Sequence, residues 1–295
     1  MVTQPLRPAG WTRQHLRHIA GLFRQDHNPA ARVYESIGAD FFLAPAPGWL
    51  NLGLWEGPGS EDEAAAACRR LVQTVAAPLP EAGVILDIGN GLGTQDPVIA
   101  EALHPRRLVA VNITEWQLSV GRDRLREAAA LGVAGDATAL PIADRSVDGV
   151  ISVEAAFHFR SRRAFFDECF RVLKPGGVLS ISDVAIERLP LGPLELLAGM
   201  TQMRVFGLRP SAAMTTDQIA AAAHAAGLTA VDVTVCGDRV IAPALRLIGH
   251  RLRATSAAAA APAGHRTAAR LLLGQVELLW RRQIIQYILL RAARP

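Results

Sequence analysis

The stretch VILDIGNGLGTQ places Asp87, Gly89, Gly91 and Gly93 at alternate positions. Backbone stripped of side chains lets a bulky ligand come close. Spacing separates the nucleotide cradles that use such a turn. A dinucleotide turn, G-x-G-x-x-G counted from Gly89, needs glycine at position 94, where the chain has Thr94. A phosphate-binding loop closes on Gly-Lys-Ser/Thr, and Lys174 is the only lysine in the chain. Two readings remain: a turn that cradles a ligand through its amides, or a glycine-rich strand-to-helix turn that holds nothing. Further polar groups follow downstream: Asn112 and Gln117 in NITEWQ, Asp136 in GDATALP, Glu154 and His158 in VEAAFHF. A histidine titrating near neutrality suits proton transfer, and a carboxylate can serve the same step.

These residues need a scaffold, and hydrophobic patterning supplies one. Residues 61–77 read as a helix opened by three acids. GVILDIG is a short apolar run, as expected of a strand buried on both faces. GTQDPVIAEAL then reads as a helix with Asp96 as N-cap and Pro97 at its first position. RLVAVN is a second strand, 114–130 a helix, GVAGDA a third strand and SVDGVISV a fourth. A helix over 162–173 and the turn LKPGG lead to a fifth strand, GGVLSISDV. Thr215 with Gln218 makes a capping box for a helix that Gly227 ends, and strands are expected near 229–235 and 284–291. This alternation predicts a parallel α/β sheet. Two segments interrupt it: 186–214, apolar and broken by prolines, and 239–283, helical around an alanine tract. Each is extra packing or a lid over a ligand.

In open α/β sheets ligands lie outside the carboxyl ends of the strands. The D-x-G-x-G-x-G turn, followed in order by these strand-end groups over residues 81–183, resembles class I S-adenosylmethionine (SAM)-dependent methyltransferases. The resemblance implies a Rossmann-like, doubly wound, mostly parallel seven-stranded sheet with an N-terminal helical segment and helical lid and cap insertions. It implies SAM as cofactor, contacted by Asp87, Gly89, Gly91 and Gly93 and by Asn112, Ile113 and Gln117 toward the ribose. Asp136 and Ala137 would meet the adenine, and Val153 completes the set. Asn112 departs from the family, which usually carries an acid there to grip the ribose hydroxyls. Upstream, VYESIGADFF and LNLGLW look like segments that cyclopropane fatty acid and mycolic acid synthases place over the cofactor, which makes Tyr34 a cofactor-side contact. AAFHFRSRRAFF is similar to the active-site stretch of those enzymes and of sterol, tocopherol and natural-product methyltransferases, which makes His158 the active-site histidine. The bland counterparts are a packed aromatic at Tyr34, an exposed helix glutamine at Gln117 and a core histidine at His158.

The implied activity is methyl transfer to a small hydrophobic acceptor, a polyketide, terpenoid or lipid, with His158 as general base. An alkene acceptor would instead need aromatic faces for a carbocation, with Phe157, Phe159, Trp116 and Trp55 as candidates and Glu154 contributing to proton removal. A cyclase or pericyclase that keeps SAM only structurally would share the cofactor motifs, as would a non-catalytic SAM-binding module. Nucleic acid is excluded as substrate by VEAAFHF, where amino-methylating DNA enzymes carry an N/D-P-P-Y/F tetrapeptide and RNA cytosine enzymes a cysteine.

Composition agrees with an enzyme of this kind: half the residues are hydrophobic, a fifth are charged and the net charge is +4. No secretory leader or bilayer-spanning run is apparent, and Cys68, Cys169 and Cys236 suggest neither disulfides nor a metal knuckle, which points to the cytoplasm. His15 and His18 have helical spacing but no third ligand nearby, so no metal is expected. From Arg239 onward the chain carries ten arginines and one acid, Glu277, so an acidic partner such as an anionic lipid or acyl carrier protein is one reading and solvated helix faces the other. The organisation expected is an N-terminal helical cap over 1–60, a cofactor-binding core over 61–185, a lid over 186–214, and the end of the core with its helical cap over 215–295.

Overall fold

A computed structural model of the chain describes residues 44–253 and 263–295. Tyr34, His15, His18 and the alanine tract at 257–261 lie outside the described residues. Seven strands form one sheet: β1 (Val84–Ile88), β2 (Arg107–Asn112), β3 (Ala130–Ala134), β4 (Val147–Val153), β5 (Leu173–Ile186), β6 (Thr229–Val235) and β7 (Ile285–Ala293). Their order is β3-β2-β1-β4-β5-β7-β6. Strands β1 to β5 pair in parallel, and β7 runs antiparallel to both its neighbours. The expected mostly parallel, Rossmann-like sheet is therefore present, with its switch in strand order between β1 and β4.

The inner strands are largely buried because helices cover both faces, while the edge strands β3 and β6 stay mostly exposed. On one face Leu86, Ile88, Val150, Leu179, Ile181 and Ile288 pack with α5 (Arg162–Val172) and α7 (Thr216–Ala225). On the other, Ile85, Ile151, Val153 and Tyr287 meet α1 (Ala64–Ala76), α2 (Asp96–Leu103) and the start of α8 (Gly237–Arg253). Period-two alternation along each strand assigns its residues to the two layers.

Several local expectations shift. Asp96 is not the N-cap of α2; Gln95 takes that place, and Asp96 opens the helix with its side chain turned inward. The helix expected over 114–130 divides at Gly121 into α3 (Glu115–Val120) and α4 (Arg122–Glu127), so that β3 starts at Ala130. Gly121 lies against the Leu92 carbonyl, and a β-carbon there would come within 2.7 Å of that oxygen. LKPGG lies inside β5, which is irregular against β4 at this point. The Thr215–Gln218 capping box forms as expected, with bonds of 3.2 Å and 3.0 Å.

The two interrupting segments are helical. Residues 186–214 hold α6 (Pro193–Val205) and a 3-10 turn, Pro210–Ala212. Only Ala198 and Gln202 of α6 are buried, while Leu194, Leu197 and Met200 face outward. Gln202 ties α6 to α9 (Ala263–Arg281) through the Leu272 carbonyl and Gln275. Several C-terminal arginines serve internal contacts. Arg251 caps the Ala44 and Pro45 carbonyls and pairs with Glu61. Arg270 bonds the Leu252 carbonyl, and Arg294 bonds those of Phe170 and Leu173 while lying 4.3 Å over the Phe170 ring. Among the described residues no helix is long and apolar enough to cross a membrane.

Candidate active site

A cleft opens at the carboxyl ends of the central strands, with about 1060 Å³ of unfilled space counted out to its mouth. Gly89 and Gly91 line it, and Gly93 follows behind. The three have φ of +81°, +58° and +77°, a region that disfavours other residues. A β-carbon on Gly89 would come within 2.5 Å of the Ala155 methyl, and one on Gly91 within 3.0 Å of Leu50. The turn thus needs glycine for its own conformation and packing, and it also presents its backbone to the cleft.

Asp87 does not reach the cleft, contrary to the expected contact. It is fully buried behind the turn, and Gln95 donates to both its carboxylate oxygens at 2.8 Å and 2.7 Å. Gly93 likewise packs away from the cleft, against Asp96 and Arg124. Burial raises the Asp87 carboxyl well above its ordinary range, and the neighbouring Asp96 charge adds to this. Burial raises Asp96 to about 7.

At the ends of β2 and β3 the expected groups converge. The buried Asn112 amide donates to Gln117 at 3.1 Å and to Asn90 and the Gly91 carbonyl at 3.2 Å. This bridge joins the glycine turn to α3, so Gln117 is not an exposed helix glutamine. Ile113 lies beside it on the wall. Asp136 and Ala137 line the next stretch; Oδ1 of Asp136 accepts from the Thr138 amide and hydroxyl at 2.8 Å and 2.7 Å. Arg160 approaches its other oxygen at 3.8 Å.

The end of β4 supplies Val153, Glu154 and, in a 3-10 turn, His158. Glu154 has φ of +51°, a strained conformation for this residue. Its amide donates to the Ser182 carbonyl at 3.2 Å and hydroxyl at 3.1 Å. Its Oε1 accepts from the Leu52 amide and the Tyr287 hydroxyl, both at 2.8 Å. Burial raises this carboxyl to about 7, with Asp183 pushing the same way and the Leu52 and Tyr287 bonds opposing. Burial lowers His158 to about 3, aided by the positive charge of Arg162 and opposed by a bond to the Phe206 backbone. The near-neutral titration expected of His158 therefore belongs to Glu154.

Arg162 itself forms a buried bidentate pair with Asp183, at 2.6 Å and 3.2 Å. It also bonds the Ala212 and Val184 carbonyls, fastening the 210–212 turn to the sheet. Of the four aromatics considered for a carbocation, Phe159 lines the cleft. Phe157 stacks on His158 with ring centres 4.2 Å apart. Trp55 is buried away from the cleft, its indole bonded to the Leu52 carbonyl, and Trp116 faces outward on α3. Trp49, Leu50 and Asn51 line the cleft instead, within a crossing segment whose only sequence signal was the LNLGLW likeness. Arg209 and Tyr287 carried no sequence signal; Tyr287 lies 133 residues from its partner Glu154.

Residues 86–181 match the family described as "Methyltransferase domain". That match spans about a third of the chain, and the likenesses to whole proteins are partial. The chain is 34% identical over 161 residues to erythromycin 3''-O-methyltransferase of Saccharopolyspora erythraea, covering 52% of each protein. It thus spans about half the length of that relative. The chain superposes on the cyclopropane synthase MmaA2 of Mycobacterium tuberculosis with a TM-score of 0.75 and 19% identity, over 92% of this chain and 100% of the other. The [4+2]-cyclase SpnF gives 0.65 and 20% over 96% of both chains. These two likenesses show a shared fold.

Proposed function

We propose that the chain is a SAM-dependent methyltransferase acting on a small hydrophobic acceptor, free or borne by a lipid or carrier protein, in the cytoplasm. One observation carries the reading. A single cleft joins an open glycine backbone, the Asn112–Gln117 amides and the Asp136 carboxylate to a near-neutral carboxyl at Glu154 and a neutral imidazole at His158. The first group fits a nucleoside with an amino-acid tail: amides for ribose hydroxyls, a carboxylate with the Ala137 amide for the base, and backbone for the tail. Asp87 supports this cradle from behind. Bound SAM would supply a methyl group on a sulfonium.

The residues of this chain then have two tasks. The cradle and crossing segment hold the reactants in line and exclude water. Glu154 takes the proton that an acceptor hydroxyl loses as its oxygen gains the methyl group, since a base works best near its operating pH. His158 remains neutral beside it. As a base it would need a proton affinity that its surroundings deny, so its role is to hydrogen-bond and to shape the acceptor end. Phe159 and Trp49 offer faces to an alkene acceptor, which supports C-methylation as the second reading.

Calorimetry with SAM and S-adenosylhomocysteine tests the cradle. Gly91→Val should abolish binding, and Asp136→Ala should weaken it by ~1–3 kcal/mol. Unchanged affinity in folded Gly91→Val protein defeats the cofactor reading. Mass spectrometry of hydrophobic acceptors should show a methyl increment with release of S-adenosylhomocysteine. Conversion without that release identifies a cyclase.

A further inference from the structure

Residues from β5, β7 and the segment that crosses the cleft hold Glu154, which lies just past β4. The Glu154 amide, just past β4, donates to the Ser182 hydroxyl on β5 at 3.1 Å. The Ser182 side chain also acts on the Tyr287 phenol on β7, opposing the rise in its proton affinity. The Tyr287 hydroxyl donates to Oε1 of Glu154 at 2.8 Å. Ser182 and Tyr287 are both fully buried, and their strands follow β4 in the order β4, β5, β7.

A second bond to the carboxyl group breaks its symmetry. The Leu52 amide, from the segment that crosses the cleft, also donates to Oε1. Both donors therefore fall on one oxygen, and Oε2 accepts no hydrogen bond within the described residues. A carboxylate held this way cannot rotate to exchange its oxygens without breaking two bonds, and its free lone pairs stay on the side of the cleft that Glu154 lines.

We propose that Tyr287 is a positioning residue, which holds Oε1 of Glu154 so that Oε2 is the atom that takes the acceptor's proton. The inference rests on Glu154 being the base. The balance is simple: the acceptor O–H bond breaks, its proton forms a bond to Oε2, and the oxygen lone pair forms the new O–C bond. The hydroxyl of Tyr287 keeps its own proton throughout, since burial and the adjacent carboxyl raise it well above the phenol range. It stabilises the ionised form of Glu154 by donation. The other groups facing Glu154 are the thiols of Cys68 and Cys236 and the carboxylate of Asp183, the last neutralised by Arg162.

The experiment is Tyr287→Phe in the full chain, which keeps the ring and its packing and deletes the donor. Glutamate labelled with carbon-13 at the carboxyl gives the Glu154 titration directly by NMR, its signal assigned by its loss in Glu154→Gln. The midpoint should rise by about one pH unit in Tyr287→Phe, and the acid limb of kcat should move with it. At pH 6.5 kcat should fall about tenfold, recovering to within about twofold at pH 9, with the KM for SAM unchanged. Ser182→Ala, which removes a hydroxyl that acts on the Tyr287 phenol but leaves the Tyr287–Glu154 bond, should shift both in the same direction by less; it serves also if Tyr287→Phe does not fold. An unmoved NMR midpoint in folded protein overturns the inference. A midpoint that moves while the acid limb stays supports the coupling of Tyr287 to Glu154 and overturns Glu154 as the base.

Discussion

Asp87 and Asp96 lie close together beneath the glycine turn, both buried, and among the described residues no cation pairs with either. Gln95 spans the two oxygens of Asp87, and Asn90 holds one oxygen of Asp96 at 2.9 Å while the other has no partner. Two adjacent buried carboxylates cannot both ionise cheaply, so the folded chain keeps a proton that the unfolded chain would release.

The sign of the pH dependence follows. Asp96 titrates at about 7 in the fold against an ordinary 3.8, so stability falls as pH rises across that interval. Asp96→Asn should raise the melting temperature at pH 8, by about 2–4 °C for each kcal/mol recovered, and change it little at pH 4. An equal shift at both pH values would show that the pair ionises freely.

Glu154 and His158 are separable by the same logic. The acid limb of kcat should fall near pH 7, where Glu154 gains its proton, and not near pH 6 as an ordinary histidine would give. Glu154→Gln should lower kcat by about 100-fold or more. His158→Asn should lower it less and leave the limb in place, because the imidazole is neutral down to about 3. A lost limb in His158→Asn with a normal Glu154→Gln enzyme returns the base to His158.

Gly89 and Ala155 touch across the cleft floor. Gly89→Ala should weaken SAM binding, since its new methyl meets that of Ala155 at 2.5 Å and its φ is positive. Adding Ala155→Gly should restore part of the affinity and not all, because the second change removes the clash and leaves the backbone cost. Binding calorimetry on the three variants decides it; full recovery would mean that the conformation at Gly89 costs nothing.

The 186–214 segment reaches the cleft through Arg209, and we propose that it acts as a lid over the acceptor. Replacing residues 194–203 with a short polar loop should raise the acceptor's KM far more than that of SAM. Steady-state kinetics that leave both unchanged would make the segment a surface appendage.

The amino-acid sequence by itself determined the alternation of strands and helices, the glycine turn and the ordered strand ends. Those signals are local: apolar runs, caps and glycines at fixed spacing act within a few residues. Even the cradle's roll was largely legible, because Gly89, Gly91, Asn112, Gln117, Asp136, Glu154 and His158 do share one cleft. Tertiary structure decided what each group can do there. Asp87 turned from ligand contact to buried support because Gln95 and Asp96 close on it. The near-neutral titration passed from His158 to Glu154 because burial lowers the imidazole and raises the carboxyl, with Arg162 adding to the first shift and Asp183 to the second. Tyr287 joined the site because β7 inserts next to β5, a pairing between segments a hundred residues apart. Proton affinity depends on burial and on charges that arrive from distant strands, and no spacing rule within a motif encodes them.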